Sequence, residues 1–100
     1  MEVKLMIAVV AGITVKEGRF ADYVACAKKI VAETRKENGC IAYEFCQSAG
    51  EPLRCAMIEK WESRAALDAH MQTAHFKEFG ASTESLIAAP LSVDIYDIVL

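Results

Sequence analysis

Residues 5–15 (LMIAVVAGITV) are apolar on both alternating faces, and this constrains the fold more than any other segment. Along an extended backbone Leu5, Ile7, Val9, Ala11 and Ile13 share one side, and Met6, Ala8, Val10 and Gly12 share the other. Such a segment offers hydrocarbon to both sides of a sheet, so it reads as a strand buried on both faces. Met1–Lys4 followed by an apolar run also has the outline of a secretory leader. The β-branched Val9, Val10, Ile13, Thr14 and Val15, running into the charged turn Lys16-Glu17-Gly18, favour the strand.

A two-faced strand needs cover on both sides, and the rest of the chain supplies it unevenly. Over residues 19–37, Phe20, Val24, Ala27, Val31 and Thr34 recur at helical steps, with Tyr23 and Ile30 widening the stripe. Arg19, Lys28, Lys29, Arg35, Lys36 and Glu37 cover much of the remainder, which predicts an amphipathic helix stopped by Asn38-Gly39. Residues 40–47 alternate, with Ile41, Tyr43 and Phe45 set against Cys40, Ala42, Glu44 and Cys46. After the turn-rich loop Ser48–Pro52, residues 53–61 place Cys55, Met57, Glu59 and Trp61 on one face, so the two strands form an antiparallel hairpin. Ser63 is placed to cap a short helix over 64–71, and Thr73 a second over 74–88. Pro90 ends the helical pattern, and 91–99 reads as a last strand, with Leu91, Val93, Ile95 and Val99 opposite Tyr96 and Ile98.

The order β-α-β-β-α-β predicts an α+β, ferredoxin-like fold: four antiparallel strands with helices on one face, in a single domain over 1–100. The helices leave the second face of the sheet bare. The chain is 54% hydrophobic, above the ~45–50% of ordinary domains. A second copy is the simplest cover, which predicts a two-fold homodimer packed sheet to sheet in a dimeric α/β-barrel-like assembly.

Net charge is −3 and the basic residues are scattered, with only Lys28-Lys29 adjacent, so there is no nucleic-acid footprint. No apolar run reaches the ~18 residues of a membrane span. Cys26, Cys40, Cys46 and Cys55 contain no C-x-x-C pair, which argues against the usual zinc and thioredoxin spacings. They read as reduced thiols acting as small apolar residues, and the protein as cytoplasmic.

The only tryptophan and both histidines lie within fifteen positions, Trp61 to His75. His70 follows Ala66 and Leu67 at helical steps, at the margin of an inward face. It is a candidate general base, or a boundary histidine bonded to backbone. His75 stands at a helix start, where the dipole disfavours a cation, so it reads as a neutral donor or acceptor or as a structural contact. On one continuous helix the two rings would lie ~140° apart, and no third ligand is nearby, so a metal site is not expected. Glu59 shares the face of Trp61. Burial there would raise its pKa and suit it to acid–base work, and a cross-sheet salt bridge is the alternative. Trp61 and Tyr43 can wall a flat ligand or simply fill the core. With no serine nucleophile motif, Gly-rich phosphate loop or dinucleotide fingerprint, any chemistry must need few protein groups and no obvious organic cofactor.

Three pieces of sequence carry a resemblance. They are Val15-Lys16-Glu17-Gly18-Arg19-Phe20, then Thr34 to Cys40 leading into Tyr43-Glu44, and the run W-E-S-x-x-A-L-x-A-H-x-x-T-x-H-F from Trp61 to Phe76. In combination they resemble the antibiotic biosynthesis monooxygenase family along nearly the whole chain, and most of all its small bacterial quinol monooxygenases. The resemblance implies a ferredoxin-like homodimer that oxygenates an electron-rich phenol or quinol with O₂, without flavin or metal. It further implies a cavity between sheet and helices, with His70, Glu59 and His75 handling protons and Trp61, Tyr43 and Phe76 as walls. A haem-degrading branch uses an asparagine, a tryptophan and a histidine where this chain has Ala11, His70 and Gly80, which argues against that activity. Two other readings stay open: an enzyme isomerising or degrading an autoinducer-2-type signal, and a non-catalytic small-molecule-binding or stress-related dimer. The aromatic set around Trp61, with no Arg/Lys cluster for phosphate, favours a flat substrate.

Overall fold

In the computed structural model, residues 4–100 are described; residues 1–3, where the single-domain reading begins, lie outside them. The elements follow the expected order: β1 (Ile7–Thr14), α1 (Phe20–Thr34), β2 (Cys40–Gln47), β3 (Arg54–Trp61), α2 (Arg64–Met71), α3 (Ala74–Thr83) and β4 (Ser92–Asp97). The strands form one antiparallel sheet in the order β2-β3-β1-β4. This is the ferredoxin-like α+β fold.

β1 is central in the sheet, as its composition requires, but it is buried on one face only. Ile7, Val9 and Ile13 are each 3% exposed against the helices, whereas Val10 on the reverse is 37% exposed. Among the described residues, no element covers that reverse face. There Val10 pairs with Ile58, and Ala8 with Tyr96, interspersed with Glu44, Lys60 and Asp94.

The helices pack through small and aromatic side chains. α1 buries Tyr23, Ala27, Ile30 and Thr34 at steps of four, three and four. Tyr23 stacks on Phe45 at 5.6 Å and meets Phe79 edge-on at 5.7 Å, which ties α1 to the sheet and to α3. Ser63 and Thr73 cap α2 and α3 by accepting from the amides of Ala66 and Phe76, each at 3.2 Å. The break at Thr73, whose hydroxyl donates to the carbonyl of His70 at 2.7 Å, turns α3 away from the line of α2.

Four boundaries or faces differ from expectation. α1 ends at Thr34, so Glu37 sits in the turn that follows rather than on a helix surface. A β-bulge between Cys40 and Ala42 sets Cys40 opposite Trp61, on the helix side, and leaves Ile41 exposed. α3 stops at Thr83, whose hydroxyl donates back to Phe79 O at 2.7 Å. A 3-10 turn over Glu84–Leu86 follows, and Ile87 then pairs with Val15. Finally, every residue of β4 is exposed. Val93 and Ile95 face the helix side beside Ala11 and Val9, but the helices do not reach over them.

Gly39 makes the turn that delivers Glu37. Its φ is +86° and a Cβ there would lie 2.6 Å from Ala66 Cβ, whereas Gly18, at φ +79°, has open space around it. Gly39→Ala therefore meets both a left-handed backbone penalty and a clash with α2, and Gly18→Ala only the first. Urea unfolding should show Gly39→Ala costing about 2–4 kcal/mol and Gly18→Ala about 1 kcal/mol. Equal costs would mean that α2 yields to the new methyl.

Candidate active site

A cavity of about 270 Å³ lies between the sheet and α2–α3. Val9 and Ala11 of β1, Tyr43 of β2 and Met57 of β3 form its floor, and Leu67, Met71, Phe76 and Phe79 roof it. It opens toward β4, where Val93 and Ile95 are exposed. The lining is overwhelmingly hydrocarbon and aromatic, contains no Lys or Arg, and includes a buried acid and a buried base, Glu59 and His70.

Glu59 is on β3 two residues before Trp61, so the alternation of the strand puts both side chains under the helices. Trp61 Nε1 donates to Glu59 Oε1 at 2.9 Å. Burial pushes the Glu59 carboxyl up to about 7; the nearby charge of Glu37 adds to this and the Trp61 bond partly offsets it. The group can hold or release a proton near neutral pH.

His70 is 1% exposed. Its ring is packed by Trp61 at 4.7 Å, Phe76 at 5.0 Å and Tyr43 at 5.5 Å. Nδ1 lies 2.7 Å from Glu37 Oε2. A carboxylate oxygen only accepts, so the network assigns the proton to Nδ1 and leaves Nε2 as a bare lone pair in the neutral ring. Nε2 is buried and has no protein partner. Burial lowers the His70 pKa, and His75 adds to that; the Glu37 carboxylate opposes it through its hydrogen bond and its charge. This arrangement is a neutral imidazole, oriented by a carboxylate, in the wall of an apolar cavity.

His75 is built differently. Its Nε2 lies 2.7 Å from the same Glu37 Oε2. Its ring does not line the cavity but borders a groove of about 210 Å³ between α1 and α3, with Lys29, Glu33 and Glu78. Of the residues singled out in the sequence, the cavity gathers His70, Glu59, Tyr43 and Phe76. Trp61 is not a wall: at 0% exposure it sits behind the lining, as the donor to Glu59 and a packing surface for His70. The partner of the His70 ring is not backbone but Glu37, which sequence reasoning placed on a solvated helix face.

Glu37 also overturns the expectation that the histidines lack a third donor. Its Oε2, His70 Nδ1 and His75 Nε2 lie within 4.8 Å of one another. Glu37 is 33 and 38 residues from its partners. The only clue in the sequence was that a buried histidine needs an acceptor for one ring proton.

Residues 6–82 match the profile of the family described as antibiotic biosynthesis monooxygenase. "Putative monooxygenase YcnE" of Bacillus subtilis is 36% identical, with 88% of this chain and 93% of that protein covered. "Probable quinol monooxygenase YgiN" of Escherichia coli is 32% identical, with 79% of this chain and 86% of that protein covered. An uncharacterized Synechocystis protein, sll1783, is 36% identical over 92% of this chain, which spans only 63% of its length. Among solved structures, a conserved protein from Methanosarcina mazei superposes with a TM-score of 0.91 at 32% identity, covering 94% of this chain and 93% of its own. Sequence, fold and the breadth of these matches agree: the chain belongs to the antibiotic biosynthesis monooxygenase family.

Proposed function

We propose that this protein is a cofactor-independent monooxygenase that oxygenates a quinol or related polyphenol with O₂. The observation that carries the reading is His70, a buried imidazole that lines an apolar cavity and whose Nε2 has no protein partner. At about 270 Å³ the space is just below the roughly 300–1,000 Å³ of drug-sized sites, which suits one or two aromatic rings. The lining offers aromatic faces and no cation, and so favours a flat polyphenol over a phosphorylated signal. The E. coli relative carries a quinol monooxygenase name.

The chemistry needs little from the protein. His70 Nε2 takes one phenolic proton, and Glu37 stabilises the imidazolium that forms. The resulting quinol anion is electron-rich enough to reduce O₂ directly. Recombination at a ring C–H carbon forms a carbon–oxygen bond, and the proton on His70 returns to the peroxide. The O–O bond then breaks as that carbon loses its hydrogen, so a carbonyl forms and the departing oxygen leaves with both protons as water. Atoms and electrons balance as hydroquinone plus O₂ giving hydroxyquinone plus water, with no outside reductant. Glu59 hydrogen-bonds or protonates the second oxygen.

The working unit is a cytoplasmic single-domain homodimer in this reading. The uncovered sheet face with Val10, Ile58 and Tyr96 is the surface for the second copy, and the four cysteines are unpaired thiols. Oxygen consumption with a panel of hydroquinones, in chelator, tests the proposal. Uptake with one hydroxyquinone formed per O₂ is expected. No uptake with any quinol, or a product without added oxygen, would overturn it.

A further inference from the structure

We propose that Glu37, His70 and His75 form a binding site for a divalent transition-metal ion of the zinc class, at the Nδ1 edge of His70. The three donors come from three elements: the turn after α1, α2 and the start of α3. Their convergence is therefore a product of the tertiary fold and not of local spacing. The chain has two histidines, and both are here. The donor atoms lie within 4.8 Å of one another, and the side chains of His70 and Glu37 are only 2% and 13% exposed. Two imidazoles and one carboxylate suit zinc and its neighbours, and leave a fourth position for water. The His75 side chain, 23% exposed, borders the groove between α1 and α3, which gives an ion a route to the site from solvent.

In the metal-free state both rings hydrogen-bond to Glu37 Oε2 at 2.7 Å. Ligand atoms on a tetrahedral zinc lie about 3.3 Å apart, so each nitrogen moves about 0.6 Å away from the carboxylate to admit the ion. Glu37, on a turn, and His75, half-buried, are the parts free to move. His70 is held by the rings around it. Each histidine binds as neutral imidazole, with its ring proton moved through solvent to the other nitrogen. For His70 this puts the proton on Nε2, the nitrogen that is bare without metal. Ion and base are therefore alternative states of one ring, and an occupied site would silence proton abstraction in the cavity.

Binding is read directly, so the test stands apart from the oxygenase reading. Chelator-stripped protein is titrated with zinc chloride by calorimetry, and with cobalt chloride by absorbance. One ion per chain is expected, with tetrahedral cobalt bands and no thiolate charge-transfer band. Affinity should fall at least tenfold in His75→Ala, whose side chain is partly exposed, and in Glu37→Gln. It should be unchanged in Cys26→Ser, which removes the thiol of the neighbouring groove. No binding at millimolar zinc, undiminished binding in His75→Ala, or loss of binding in Cys26→Ser would each overturn the site.

Discussion

His70→Gln should slow quinol-dependent oxygen uptake by about 10²–10⁴-fold, the range for loss of a positioned general base. Glutamine keeps a donor for Glu37 and much of the volume, but has no basic nitrogen. The loss should fall on kcat more than on KM, because the aromatic walls that hold the substrate are untouched. The pH profile carries the sharper information. Burial lowers the His70 pKa, so the wild-type rate should hold steady as pH falls through the ordinary histidine range near 6.5 and decline only below it. Glu37 is the influence that raises the His70 pKa. In Glu37→Gln the acid limb should therefore move to still lower pH, while kcat drops because the ring tautomer is no longer held. A wild-type rate in His70→Gln would remove His70 as the base, and an acid limb unmoved in Glu37→Gln would remove Glu37 as its positioning residue.

Glu59→Gln should make the protein more stable above pH 7, by about 3 kcal/mol, and leave it unchanged near pH 4.5. The folded protein holds the Glu59 proton up to about 7, while the unfolded chain releases it near the ordinary 4.5. Between those values the native state binds more protons, so its stability falls as pH rises and levels off above 7. The gap from 4.5 to about 7, at about 1.36 kcal/mol per pH unit, comes to about 3 kcal/mol. Glutamine cannot ionise, yet its carbonyl can still accept from Trp61 Nε1, so the variant lacks the slope without losing the bond. His70 has the opposite sign: with a lowered pKa, its contribution is present above about 6.5 and is lost as pH falls. That term is common to both proteins and cancels in their difference. Urea midpoints from pH 4.5 to 8.5 give the difference curve, and a flat one would show that Glu59 is not held in its neutral form.

The element order and the inward placement of residues on α2 and β3 were legible because they rest on local rules. Alternation placed Glu59 and Trp61 on one face, helical spacing turned His70 inward, and Ser63 and Thr73 announced their helices as caps. The failures have one kind of cause. The bulge at Ile41, the early end of α3 and the bare reverse of β1 each depend on what a distant segment does: β3 opposite Cys40, Val15 opposite Ile87, and no layer opposite Val10. Trp61 stayed open between wall and core, because the depth of a side chain is set by the layer above it. Glu37 is the clearest case. Nothing within ten residues marks it, and only the closing of the α1 turn beneath α2 and α3 brings its carboxylate to both histidines. Sequence alone determined the strand-and-helix order and that His70 would lie at the margin of an inward face, because backbone period and hydrophobicity are local properties. Only the tertiary structure decided which acid meets that base and where a ligand has room, because a hydrogen bond across 33 residues and an empty volume exist only once the layers are packed.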